Sequence, residues 1–390
     1  MRAGLAQVLL RFGPAYLADH ALTAAQARAW RAITACRTAA LGGYLERCDG
    51  CGAARQIYHS CRNRHCPVCQ TRAKEAWLAA RQRELLPVPY FHLVFTLPHV
   101  LHVLLGQHAR LIYALLFDAA AATLREFAAD PRHLGGASAF TLVLHTWKQD
   151  LGRHVHVHAL IAGGALTADG DWVAPRRGFL FPVKALSRVF RGKFVAALED
   201  QRAHGRLRDD AALTATLWAQ LRQALYAHDW VVYAKQPLGG PAQVLAYLGR
   251  YTHRVAISNE RIQSISQTEV AFRVRVNGTA GQTRARKRTL QLAGPMFIAR
   301  FLQHVLPPGF KRIRHYGLLG AAHKRAQLAA ARSALAVPPP QPAVLEAVDA
   351  FMYRVAGIAW STCAQCRCGH YRFAQALPPA PRWQLLHGPP

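Results

Sequence analysis

Tyr247 and Tyr251, the histidine string His154-Val155-His156-Val157-His158, and nine cysteines are the residues of this chain whose types and spacing suit chemistry. Residues four apart share a helix face, with side chains about 5–6 Å apart. Two phenols so placed are either amphipathic packing or a nucleophile pair. A phenol can attack a phosphodiester and conserve the bond as a phosphotyrosine if a cation neutralises the non-bridging oxygens. Arg250 and Arg254, also four apart, lay a cationic stripe beside them. On a strand, the three imidazoles project from one face and Val155 and Val157 from the other. Histidines two apart stand about 6.5–7 Å from one another along the backbone, so two rings can converge on one metal ion. The competing reading is an edge strand with a polar, solvated face.

The cysteines cluster as metal ligands do. Five fall between Cys48 and Cys69, three between Cys363 and Cys368, and Cys36 stands alone. Cys48-x2-Cys51, a 14-residue gap and Cys66-x2-Cys69 approach the paired-knuckle spacing of a closed structural zinc site. Cys61, His59 and His65 are surplus donors nearby. Cys363, Cys366, Cys368 and His370 offer four donors in eight residues, a candidate second zinc site of unusually tight spacing. Arg62 and Arg64 among the knuckles, the run 284–290 (RARKRTL) and the run 310–316 with Lys311, Arg312 and Arg314 suit a phosphate backbone.

Elements must position these groups. The first 47 residues read as helical, and a helix follows the second knuckle. FHLVFTL, AFTLVLHTW, HVHVHALIA and WVVYAKQ read as strands, with a long helix or two helices between the first two. PAQVLAYLGRYTHR reads as the helix that carries the tyrosines. TEVAFRVRVN and RKRTLQLAG read as a hairpin, and helices return from Pro295 to about Arg332. AVPPPQPAV is a Pro-rich linker before the last cysteines. The reading is α+β in three parts: a helical and zinc-binding module over 1–86, a catalytic domain over 87–332, and a Pro-rich linker with a cysteine-containing basic tail over 333–390.

Charge points the same way. The 390 residues carry 49 Lys+Arg against 20 Asp+Glu, a formal charge of +29, and 52% hydrophobic residues exclude a disordered chain. Such an excess fits a polyanion. Uninterrupted apolar runs stay below the ~18 residues of a spanning helix, and the start is broken by Arg11 and Pro14. The expectation is a cytoplasmic, nucleoid-associated protein with no membrane contact and an undetermined oligomeric state.

Taken in order, YHSCRNRHCPVCQ, FHLVFTLPH, HTWKQDLGRHVHVHALIAGG, AYLGRYTHRVAISNERI and FKRIRHYGLLG resemble the rolling-circle transposases of the insertion sequence 91 family. The resemblance runs from about Cys48 to Gly320. It implies an HUH-endonuclease-like central antiparallel sheet flanked by helices, with His156 and His158 as the pair that binds Mg²⁺ or Mn²⁺. It implies Tyr247 and Tyr251 as nucleophiles on a facing helix, a Zn²⁺-binding N-terminal module, and single-stranded DNA at the element's ends and target. The third ligand of the divalent ion stays open among His154, Gln149 and His145. A metal-dependent nuclease without a covalent intermediate and a non-catalytic zinc-finger protein are the competing readings. Twenty acidic residues with no evident metal-binding grouping disfavour a three-carboxylate enzyme.

Overall fold

A computed structural model describes residues 3–176, 180–207, 214–238, 243–244, 249, 256–276, 286–341 and 346–380. Along the chain run α1 (Leu5–Asp19), α2 (Ala24–Ala35), β1 (Gly43–Cys48), β2 (Ala54–Tyr58), α3 (Gln70–Gln82), β3 (Tyr90–Thr96), α4 (Leu105–Ala129), β4 (Ala139–Trp147) and β5 (Arg153–Ala162). There follow β6 (Ala165–Leu166), β7 (Trp172–Val173), α5 (Val183–Ala203), α6 (Ala215–Tyr226), β8 (Val232–Leu238), β9 (Ile262–Ile265), β10 (Glu269–Val276) and β11 (Arg286–Ala293). Then come α7 (Gly294–Leu302), β12 (Ile313–Gly317), α8 (Lys324–Ala334), α9 (Val348–Ala356) and β13 (Tyr371–Leu377). The chain divides into two compact units, residues 1–74 with 253–302 and 342–390, and residues 75–252 with 303–341.

The second unit is built on a five-stranded antiparallel sheet in the order β12-β4-β5-β3-β8. Strict alternation divides its residues between two faces. Phe91, Leu93, Phe95, Phe140, Leu142, Leu144, Val155, Val157 and Ile161 are buried in one core with residues of α4 and α5. Phe95 and Phe190 meet edge to face at 5.0 Å, and Phe190 does the same with Trp230 at 5.3 Å. The segment His99–Ala129 is long and apolar enough to cross a membrane by length and composition. Its Leu115, Leu116, Phe117 and Leu124 are instead buried in this core. A short 3-10 turn, His99–Leu104, and a non-helical His108 break what the sequence offers as one helix or two. The opposite face of the sheet is apolar at one end, where Tyr90, Leu160 and Ala162 form a second core with Leu328 and Ala331 of α8. Histidines occupy its other end.

Two elements differ from the sequence reading. The basic run 310–316 contributes β12, an edge strand paired with β4, within a stretch where helices were expected. Its alternating Ile313, His315 and Arg314, Tyr316 suit a half-buried strand despite the charge. Residues 43–47, read as helical, open β1 instead.

The first unit carries two small sheets, β13-β1-β2 and β11-β10-β9. Behind the latter, Phe272 meets Phe297 of α7 edge to face at 5.4 Å. Leu5, Val8, Leu9 and Phe12 of α1 are also buried. A side chain at Gly294 would collide with the Phe12 ring, so the absence of a Cβ sets how closely α1 and α7 approach. Thr23 starts α2 with a reciprocal capping box, accepting from Gln26 N–H at 3.3 Å while Thr23 N–H donates to Gln26 Oε1 at 3.0 Å.

Candidate active site

β5 is the central strand of the sheet: it is paired on both sides, and Val155 and Val157 are fully buried toward α4 and α5. His154, His156 and His158 therefore face away from that core. The register with β4 sets His145 directly opposite His156. His156 Nε2 lies 3.1 Å from His158 Nε2, which lies 3.0 Å from His145 Nδ1. The ligand atoms of these three residues all fall within 4.8 Å of one another.

The donor chemistry fits a cation. His156 Nδ1–H donates to the His154 carbonyl at 3.0 Å, which leaves the Nε2 lone pair facing its neighbours. One lone pair or one N–H on His158 Nε2 cannot serve both neighbouring nitrogens, whereas a shared ion satisfies all three at once. Burial, with a smaller push from His154, lowers the His156 pKa to about 4 and keeps the ring neutral, as a ligand must be. Behind His158, the buried His92 on β3 places Nε2 2.9 Å from His158 Nδ1.

The structure thus gathers His156 and His158 and sets His145 beside them as a third candidate donor. His154 stays outside, its ring 4.8 Å from that of His156 and 5.9 Å from that of His99. Gln149 sits exposed in the turn between β4 and β5. That turn is held by His304, whose Nε2–H donates to the Leu151 carbonyl at 3.0 Å while Nδ1 accepts from Thr146 Oγ1 at 3.1 Å. Leu151 itself is buried at a positive φ of 63°. Tyr247, Tyr251, Arg250 and Arg254 lie outside the described residues.

The cysteines regroup. Cys48, Cys51, Cys66 and Cys69 do not share one site. Cys48 and Cys51 join Cys363 and Cys366, while Cys66 and Cys69 join Cys61 and Cys36. Sulfur separations are 3.6 Å for Cys48–Cys366, 3.7 Å for Cys51–Cys363 and 3.6 Å for Cys61–Cys69. Four thiolates about 2.3 Å from one zinc stand about 3.7–3.8 Å apart, so both groups have the dimensions of closed tetrahedral sites. Knuckle amides point at the sulfurs: Gly50 N–H to Cys48, Asn63 N–H to Cys61 and Gly369 N–H to Cys366, at 3.3–3.5 Å. Both clusters bind structural zinc.

The physical reason for the regrouping is strand pairing. β13 runs antiparallel to β1 and sets Tyr371 opposite Cys48, which carries the tail knuckle onto the first one. A Cβ on Gly369 would stand 2.5 Å from Cys48 Sγ, so the two knuckles close only around glycine. Arg55 clamps the arrangement between the rings of Trp360 and Tyr371, at 4.6 and 3.8 Å, and pairs with Glu46 at 2.6 Å. Cys368 and His370 are exposed and belong to neither group. Cys36 is brought in at the end of α2, where Arg37 N–H donates to the His59 carbonyl at 3.1 Å. A count could not have found it: the five cysteines of the first cluster and the three of the tail already make eight, enough for two four-thiolate sites without Cys36.

Of the cations read as backbone contacts, Arg62 and Lys311 are exposed and Arg64 is half-buried. Arg314 is taken up by the fold, stacked 4.3 Å over Phe117 and 5.2 Å over Phe310.

The family described as "Putative transposase" matches residues 139–327, and the "Transposase zinc-binding domain" family matches residues 8–97. The chain is 44% identical over 376 residues to the "Putative transposase y4qJ" of Sinorhizobium fredii, covering 94% of this chain and 92% of that protein. It is 29% identical over 294 residues to the "Transposase for insertion sequence element IS801" of Pseudomonas savastanoi pv. phaseolicola, covering 74% of this chain and 68% of that one. No solved structure matches it. With two zinc-binding cysteine clusters and a helix-flanked antiparallel sheet of the HUH-like kind, the chain belongs to the transposases of the insertion sequence 91 and IS801 type.

Proposed function

We propose that the chain nicks and rejoins single-stranded DNA at the ends of an insertion sequence, holding the cut 5′ end on Tyr247 or Tyr251. The observation that carries this reading is the convergence of His145, His156 and His158 on one point of a rigid sheet face. These three imidazoles would hold Mg²⁺ or Mn²⁺. When bound, such an ion polarises the scissile phosphate and stabilises the charge that develops on its oxygens.

The chain's own residues do the rest. The phenol oxygen of one tyrosine attacks phosphorus, the P–O3′ bond breaks, and the phenolic proton is lost as the departing 3′ oxygen gains one. A 5′-phosphotyrosine and a free 3′-OH result. Attack by a 3′-OH on the phosphotyrosine reverses the balance, restoring the phenol and joining DNA to DNA. No nucleotide hydrolysis is needed, because the bond is conserved at each step. A second tyrosine four residues away lets two ends be held together. Arg250 and Arg254, each three residues after one of these tyrosines in the sequence, suit the phosphates that flank the cut. DNA as substrate places the reaction at the nucleoid.

The test is a 5′-tailed single-stranded oligonucleotide carrying the element end, incubated with Mn²⁺ and resolved on a denaturing gel. The parent chain should form a protein–DNA adduct that Tyr247→Phe with Tyr251→Phe abolishes while DNA binding persists. Cleavage leaving a protein-free 5′ end would mean hydrolysis by water and would overturn the tyrosine chemistry.

A further inference from the structure

β10 and β11 pair along eight residues each, from Glu269↔Ala293 to Val276↔Arg286. β9 accompanies them only at Val270, Ala271 and Phe272. Beyond Phe272 the sheet therefore continues as a two-stranded ribbon of residues 273–276 and 286–289. Arg273, Arg275, Arg286, Lys287 and Arg288 supply five cations among those eight residues, and no acid is present. Arg273, Arg275, Lys287 and Thr289 share one face and are all exposed.

Folding accounts for one end of this face, where Arg273 donates to the Glu260 carbonyl at 2.6 Å and Thr289 Oγ1 to Gln263 Oε1 at 2.8 Å, but not for Arg275 and Lys287. Arg275 stands directly opposite Lys287, a like-charge pair that costs a sheet stability. Among the described residues no carboxylate pairs with either side chain. One lysine suffices to blunt an edge strand against aggregation. Five cations on a projecting ribbon call for a polyanion.

We infer that the β10–β11 ribbon is a docking element for double-stranded DNA, entering the major groove with Arg275 and Lys287 toward the duplex. A two-stranded ribbon fits a groove about 12 Å wide. Alternate residues of a strand advance by about 6.8 Å, close to the rise of two base pairs. Arginine and lysine are side chains that reach phosphates and base edges. Single-strand platforms instead need exposed aromatics for base stacking. The ribbon's neighbouring aromatic, Phe272, is fully buried behind the sheet. The inference rests on the chain handling DNA and is independent of the tyrosine chemistry. It separates duplex capture, in the first unit, from strand cleavage at the histidines.

The test uses the full zinc-loaded chain and fluorescence anisotropy, with a mixed-sequence duplex of about three helical turns and a single strand of the same length. Affinity is followed between about 50 and 200 mM NaCl, where each phosphate contact adds ~0.9 to the salt slope. Arg275→Gln with Lys287→Gln should flatten the duplex slope by about 1.8, so that the parent loses ~12-fold more affinity across that range. The charge-preserving swap Arg275→Lys with Lys287→Arg should keep the parent slope. Single-strand affinity should change by much less than duplex affinity. The neutral variant should melt no lower than the parent, because it removes a repulsion. An unchanged duplex slope in a folded variant, or equal losses on duplex and single strand, would overturn the inference. Adduct formation by the parent on the single strand is scored separately, so failure of the tyrosine chemistry would leave the ribbon result standing.

Discussion

His92 shows how one buried ring governs its neighbour. It is 2% exposed, stacks on His158 at 5.1 Å and places Nε2 2.9 Å from His158 Nδ1. When His158 Nδ1–H donates to His92, the Nε2 lone pair of His158 is left facing His156 and His145. Such supporting partners typically change metal affinity by about 10–100-fold when removed. His92→Ala should weaken Mn²⁺ binding within that range in a calorimetric titration while zinc content stays the same. His92→Gln, whose carbonyl can accept the same proton, should recover most of the affinity. Equal affinities in parent and His92→Ala would show that the ring only fills space.

At the scale of elements, the tail strand β13 closes a zinc site on β1. The Pro-rich stretch ahead of α9 thus leads to a segment that completes the first unit. Metal analysis of the full chain should find two zincs beyond any divalent ion at the histidines. Cys48→Ser with Cys51→Ser should retain one, and a chain ending at Leu335 should also retain one. Combining the two changes should still leave one, because both remove the same site. A loss of two zincs in the combination would mean that the tail holds its own ion. Cys36→Ser should affect the other cluster alone. Cys363, Cys366 and the Cys48-x2-Cys51 pair were legible as ligands in the sequence. Their partnership was not, because more than 300 residues separate them and only strand pairing brings them together.

On the scale of the whole molecule, the burial of neutral imidazoles leaves its mark on acid stability. Burial lowers His304 from 6.5 to about 4, and burial with Arg81 and Lys324 does the same to His315. His315 accepts from Arg81 at 2.8 Å through Nε2, and its Nδ1–H donates to Thr141 Oγ1 at 2.8 Å, a pairing that requires the neutral ring. Between about pH 6.5 and 4 the unfolded chain holds a proton on each imidazole that the folded chain does not. Stability therefore rises with pH across this window and is lost as pH falls, by about 1.4 kcal/mol per unit for His304. In urea unfolding of the second unit, His304→Gln should remove about that much slope relative to the parent. Identical slopes would show that His304 does not carry the effect.

What the sequence determined by itself is whatever depends on local period and composition. The alternation of HVHVH dictated one histidine face and one valine face, and the structure buries Val155 and Val157 accordingly. The strands of the main sheet, the β10–β11 hairpin, the clustering of thiols and the demand for a polyanion were equally local or additive properties. Tertiary structure decided what depends on register and chain closure. His145 joined His156 and His158 because β4 pairs with β5 at His145↔His156, and neither strand's own pattern sets that alignment. Cys36 and the tail cysteines found their partners the same way. Arg314, expected as a DNA contact, is half-buried and stacks on Phe117 and Phe310 once β12 takes its place at the sheet edge. Spacing along a strand or helix specifies which side chains share a face, but which faces meet is decided by pairings between distant segments, whose energy exists only in the folded chain.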